Sequence, residues 1–154
     1  MDTILLVIST SGFSPEAMEY ALQEAKRRAA SISCYYIIED EIPDAVSSWL
    51  IYIGFMGDEP SSVYRNIIQQ EYKQRAAETL EEARQIAAKQ QIPIEAFVVE
   101  GNFIEQILEI AEKLKAVLIV THKPMHVDFI RLIHGSKLDE LKKRAPCEVK
   151  VVGE

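Results

Sequence analysis

Ile4-Leu5-Leu6-Val7-Ile8, followed at once by Ser9-Thr10-Ser11-Gly12, is the stretch on which the fold turns. Five consecutive apolar residues, mostly branched, show none of the in-and-out alternation of a half-wet strand. That is the pattern of a parallel strand covered on both faces, as in α/β proteins. The hydroxyl- and glycine-rich run ends the strand in a loop. Ser14-Pro15-Glu16 then supplies an N-cap, a first-turn proline and a first-turn carboxylate, predicting a helix to about Ala30. Ala17, Tyr20, Ala21, Leu22 and Ala25 fall near one face of it.

The same alternation of element types continues outward. Ile32 to Ile38 reads as a second strand, and Glu39-Asp40-Glu41 as its solvated end before Pro43. Residues 41–60 form a long connection carrying Trp49, Tyr52, Phe55 and Met56. It is read as core, as a lid over an apolar ligand, or as a partner surface, with core favoured because large apolar side chains are usually buried. From Ser61 to about Gln91, the positions Val63, Ile67, Tyr72, Ala76, Leu80, Ala83 and Ala87 keep a helical period. Ile94 to Val99 is the third strand. Asn102 to Leu114 is a helix with Phe103, Ile107, Leu108 and Ala111 inward, and Ala116 to Val120 is the fourth strand. Ser136 to Arg144 reads as the last helix and Val149 to Val152 as the last strand.

Strands and helices in strict alternation predict an α/β fold: a five-stranded parallel sheet with right-handed crossovers and helices on both faces. Residues 1–154 suit one domain, long enough to bury a core without staples. Ligands in such sheets bind beyond the carboxyl ends of the strands, where the winding direction reverses. Ser9 to Gly12, Glu39 to Glu41 and Thr121 to Ser136 are the segments that qualify.

Composition removes several functional classes. The formal net charge is −7, which argues against nucleic-acid binding. It is uneven: residues 1–120 sum to −9 and residues 121–150 to +3, so an anion belongs near the C-terminal third. Cys34 and Cys147 make no metal or disulfide spacing and read as buried thiols. No leader-like N-terminus is evident, and the apolar run Trp49 to Met56 is far short of the roughly 20 residues that cross a bilayer. A cytoplasmic address is expected, with no membrane and no nucleic acid as partner.

Gly135-Ser136 before Lys137-Leu138-Asp139 places exposed backbone N–H groups and a positive helix end where an anion can sit. Ser136 with Asp139 is equally an ordinary capping box. His122, His126 and His134 cluster in one segment, but Pro124 interrupts the helix that His-x3-His ligation needs, and only Asp128 adds a carboxylate. No metal site is expected. Walker A, nucleophile-elbow, zincin and dinucleotide fingerprints are missing. Ser9-Thr10-Ser11 has no identifiable partner base, so no catalytic residue is assigned.

Three blocks of sequence carry a family resemblance: Ile4 to Ser11, Glu19-Tyr20-Ala21-Leu22, and Val99-Glu100-Gly101-Asn102 before a helix. Ala116 to Val120, Gly135-Ser136 and Arg144 to Val152 extend it in order and spacing. End to end, the chain resembles the universal stress protein family. The resemblance implies a Rossmann-like sheet of the adenine-nucleotide α-hydrolase-like type and a homodimer through the last strand, Val149 and Val151. The ATP-binding members carry Gly-x2-Gly-x9-Gly-Ser/Thr after the fourth strand and an acidic residue after the first. Here His122 and Met125 stand at the first two glycine positions and Ser9 at the acidic one, while Ser11, Gly135 and Ser136 match.

The resulting ligand-binding set is Ser9, Thr10, Ser11, Ile38, His122, Lys123, Met125, Gly135 and Ser136. One reading is a stress-response regulatory module, not a turnover enzyme, holding ATP or AMP with Mg in an altered pose, with charge from Lys123 and Arg131. The other is a nucleotide-free module of the same fold whose output is dimerisation or partner contact. Slow nucleotide hydrolysis is a third, minor reading.

Overall fold

A computed structural model of the chain describes residues 1–10, 12–39, 61–123 and 138–153, without the side chains of 61–66, 68 and 69. The elements are β1 (Thr3–Ser9), α1 (Pro15–Arg28), β2 (Ser31–Glu39), α2 (Ser61–Lys89), β3 (Ile94–Gly101), α3 (Phe103–Leu114), β4 (Leu118–His122), α4 (residues 138–144) and β5 (Glu148–Val152). The five strands form one parallel sheet in the order β3-β2-β1-β4-β5. The chain therefore winds outward from β1 to β3 and returns to the other side of β1 for β4 and β5.

Alternation along the strands divides the core in two. Ile4, Leu6, Ile8, Cys34, Tyr36 and Val120 pack beneath α1 and α2, against Ala17, Leu22, Ala76 and Leu80. Leu5, Val7, Ile37 and Ile119 pack on the opposite face against Phe103 and Ile107 of α3 and Leu141 of α4. β1 is buried over most of its length, as its unbroken apolar run requires. Ile107 is fully buried, so truncating it to Ala costs about 2–5 kcal/mol.

Helix signals behave as their chemistry dictates. The Ser14 hydroxyl accepts from the Ala17 N–H at 3.1 Å, Pro15 opens α1, and Ala29 closes it in the left-handed conformation. The Asn102 side chain accepts from the Glu105 N–H at 3.0 Å and starts α3.

Several side chains depart from the sequence pattern. Met18 takes the buried place on α1, and Tyr20 is half-buried. Ile67 is 60% exposed. The 29-residue α2 rises roughly 44 Å, whereas the eight-residue β3 spans about 26 Å, so the first turns of the helix overrun the sheet. Leu108 is half-buried while Ile104 and Ile110 are buried.

β4 starts later than Ala116 because Lys115 and Ala116 are used to end α3, with the Ala116 N–H on the Ala111 carbonyl at 3.0 Å. It runs on to His122, which pairs with Val152. Cys34 is fully buried, but Cys147 is only half-buried.

Candidate functional site

The reversal in winding falls between β1 and β4, which are neighbours in the sheet. Their helices leave toward opposite faces, so a crevice opens at the carboxyl ends. Ser9 ends β1, Glu39 ends β2 and Thr121-His122 end β4. The buried polar residues among those described are Ser9, Ser14, Ser33, Glu39, Thr121 and His122, and four of these six lie at that single end of the sheet. Burying polar groups is costly unless they are hydrogen-bonded, so their collection here sets this end apart from the rest of the same strands, where Ser33 is the one such residue among those described.

Glu39 overturns the expectation of a solvated strand end, being only 1% exposed. The strand run continues through it: Glu39 still pairs with Gly101 of β3, two residues beyond the end of the β1 ladder, which stops at Ser9 against Ile37. The Glu39 charge reaches the Tyr36 and Tyr72 hydroxyls. Burial pushes both phenols up, Arg75 offsets part of this and Glu39 adds to it, so both remain protonated donors at neutral pH.

The loop after β1 is a tight reversal in which the Gly12 N–H donates to the Ser9 carbonyl at 3.1 Å. Gly12 has φ +124°, a backbone that side chains disfavour, although a Cβ there would meet nothing within 4 Å. The Thr10 hydroxyl is buried and makes no hydrogen bond to a described residue. On β4 the His122 Nδ1 lies 3.2 Å from the Lys123 carbonyl. A carbonyl only accepts, which assigns a hydrogen to Nδ1. Lys123, half-buried, follows directly and donates its N–H to the Val152 carbonyl at 3.0 Å.

Of the sequence-predicted ligand set, Ser9, Thr10, Ile38, His122 and Lys123 are thus found at the carboxyl ends of β1, β2 and β4, Ile38 being fully buried in the α1 and α2 core. Ser11, Met125, Gly135 and Ser136 lie outside the described residues, as do Arg131, His126, His134 and the Trp49 to Met56 connection. Glu39 and Thr121 fall within the qualifying segments but are absent from the ligand set, Glu39 because its acidic run reads as solvated. The signal available was the β-branched run Ile37-Ile38 leading into Glu39 without a break.

Among the described residues no three His, Cys, Asp or Glu side chains gather as a metal site, and no helix is long and apolar enough to cross a membrane.

The family model described as "Universal stress protein family" matches residues 1–153. A universal stress protein of Methanocaldococcus jannaschii is 29% identical over 96% of this chain and 80% of its own length. Among solved structures, universal stress protein UspA from Lactobacillus plantarum superposes with a TM-score of 0.68 at 18% identity, covering 97% of this chain and 96% of that one. A universal stress protein from Archaeoglobus fulgidus, solved in complex with dAMP, has a TM-score of 0.62 at 18% identity, covering 98% and 97% of the two chains.

Proposed function

The chain belongs to the universal stress protein family, and from that premise we propose that it is a single-domain, cytosolic regulatory module of the stress response. In this reading it binds an adenine nucleotide, AMP or ATP with Mg, at the carboxyl ends of β1, β2 and β4, and turns over no substrate. One observation carries the reading: buried Ser9, Glu39, Thr121 and His122 all lie at the carboxyl end of the sheet whose winding reverses between β1 and β4. The Archaeoglobus relative of the same fold, solved with dAMP, gives the ligand class.

The pose differs from a glycine-lined one. His122 occupies the end of β4 as a buried side chain, with its ring tied to the Lys123 carbonyl, so backbone there cannot approach a phosphate as glycine would allow. Hydroxyls of Ser9 and Thr10 and the Lys123 ammonium supply the polar contacts instead, and Ile38 takes part through its backbone at the end of β2, its side chain lying in the core. Ser11, Met125, Gly135 and Ser136 complete the proposed set.

The module pairs with a second copy through β5. The outward backbone groups of Val149 and Val151 are its contacts, and a groove of about 470 Å³ beside Tyr20, Lys150 and Val151 flanks them.

Denaturing the purified protein and recording the ultraviolet and mass spectra of what is released tests the ligand. Adenine absorbance with an AMP or ATP mass is expected, or, for protein purified empty, a rise in melting temperature with added nucleotide and Mg. Nucleotide at a hundred times its dissociation constant stabilises by about 2.7 kcal/mol. No released ligand and no shift would leave the nucleotide-free interaction module as the function.

A further inference from the structure

The two edges of the sheet are built differently. In a parallel ladder the N–H and C=O of one residue point to the same side, and successive residues alternate. The Pro93 carbonyl accepts from the Ile32 N–H at 3.0 Å, which turns odd-numbered residues of β3 toward β2 and leaves Ala96 and Val98 facing outward. On that outer side the Arg84 Nη2 donates to the Ala96 carbonyl at 3.3 Å. One turn of strand further on, the Lys73 ammonium pairs with Glu100 at 3.2 Å. Both cations come from α2. Packing does not close this edge, since Phe97 and Val98 are each 41% exposed.

β5 is the opposite case. The Val152 carbonyl accepts from the Lys123 N–H, turning even-numbered residues toward β4 and Val149 and Val151 outward. Among the described residues no side chain hydrogen-bonds to the outward groups of these two valines. Unpaired edges template strand addition, and charged side chains laid across them prevent it.

We propose that Arg84 guards the β3 edge by occupying the outward Ala96 carbonyl, so that a second copy of this chain can add a strand only at β5. With both edges open, copies joined β5 to β5 would also join β3 to β3, and the product would be an open-ended filament instead of a closed pair. Arg84 stops growth at one interface. The β5 half of this statement rests on the dimer reading above; the β3 half does not.

Light scattering on the purified wild type, Arg84→Ala, Arg84→Lys and the double variant Arg84→Ala/Val98→Pro tests it. Arg84→Ala should at least double the mean mass and make it grow with concentration. Arg84→Lys, which keeps a cationic donor, should hold the wild-type mass. Val98→Pro deletes an outward donor and no bond of the β2 ladder, so the double variant should return to the wild-type mass. Arg84→Met, which keeps an unbranched apolar stem without the guanidinium, repeats the test if the alanine variant loses its circular dichroism. An unchanged mass in Arg84→Ala and Arg84→Met, or a gain that Val98→Pro does not reverse, overturns the proposal. A wild type that is monomeric throughout removes the β5 dimer, yet a mass gain reversed by Val98→Pro still upholds the guard.

Discussion

Replacing Val151 with Pro separates the outer side of β5 from its inner side. Val151 has its backbone N–H on the outward side of β5, while the residues on either side of it face β4. Proline removes that N–H and leaves the β4 ladder intact, and its fixed φ is tolerated on edge strands. A two-fold interface loses one hydrogen bond per protomer, two per dimer, at a net ~0.5–1.5 kcal/mol each. The dissociation constant should therefore rise roughly 5- to 150-fold, since about 1.4 kcal/mol is a factor of ten. Sedimentation equilibrium over a dilution series reads the constant, and urea denaturation reads separately the cost of losing the buried Val151 side chain. Val98→Pro, the same change on the other edge, should leave the constant unmoved. A Val151→Pro dimer as tight as wild type would refute the assignment of the interface to β5.

Gly12→Ala should lower stability by about 1–3 kcal/mol, read as a shift of the urea midpoint; the cost is backbone alone, because φ is +124° and a Cβ there is clear of other atoms. Burial pushes the Cys34 thiol up to about 12, so the native state holds its proton where the unfolded chain has lost it. Its contribution is complete below about pH 9 and is lost as pH rises toward 12, at about 1.4 kcal/mol per pH unit, so Cys34→Val should flatten the alkaline limb of the stability curve. A variant limb as steep as the wild type's would contradict this.

The sheet was legible because its signals are local. Ile4 to Ile8 needs two covered faces wherever it lies, and Ser14-Pro15-Glu16 starts a helix by its own hydrogen bonds. Placement between neighbours was not local, and there the pattern failed. Nothing within Glu39-Asp40-Glu41 says that the ladder with β3 runs on through Glu39, which is buried. Ile67 fits the apolar period of α2, yet its exposure depends on where β3 ends. The candidate site was legible in location, from the winding of the sheet, and partly in residues: Ser9, Thr10, His122 and Lys123 stand at strand ends. Its buried acidic residue, Glu39, reads as solvated in the sequence because acidic runs ordinarily are.

Titration of isotopically labelled protein with AMP, followed residue by residue through its amide resonances, tests the central claim most directly. The nucleotide should perturb Ser9, Thr10, Ile38, Glu39, His122 and Lys123, while amides at the opposite end of the strands, such as Ile4 and Ile32, stay in place. Saturating AMP that moves none of these resonances, or only those of the outer faces of α3 and α4 around Glu109 and Arg144, would contradict the account.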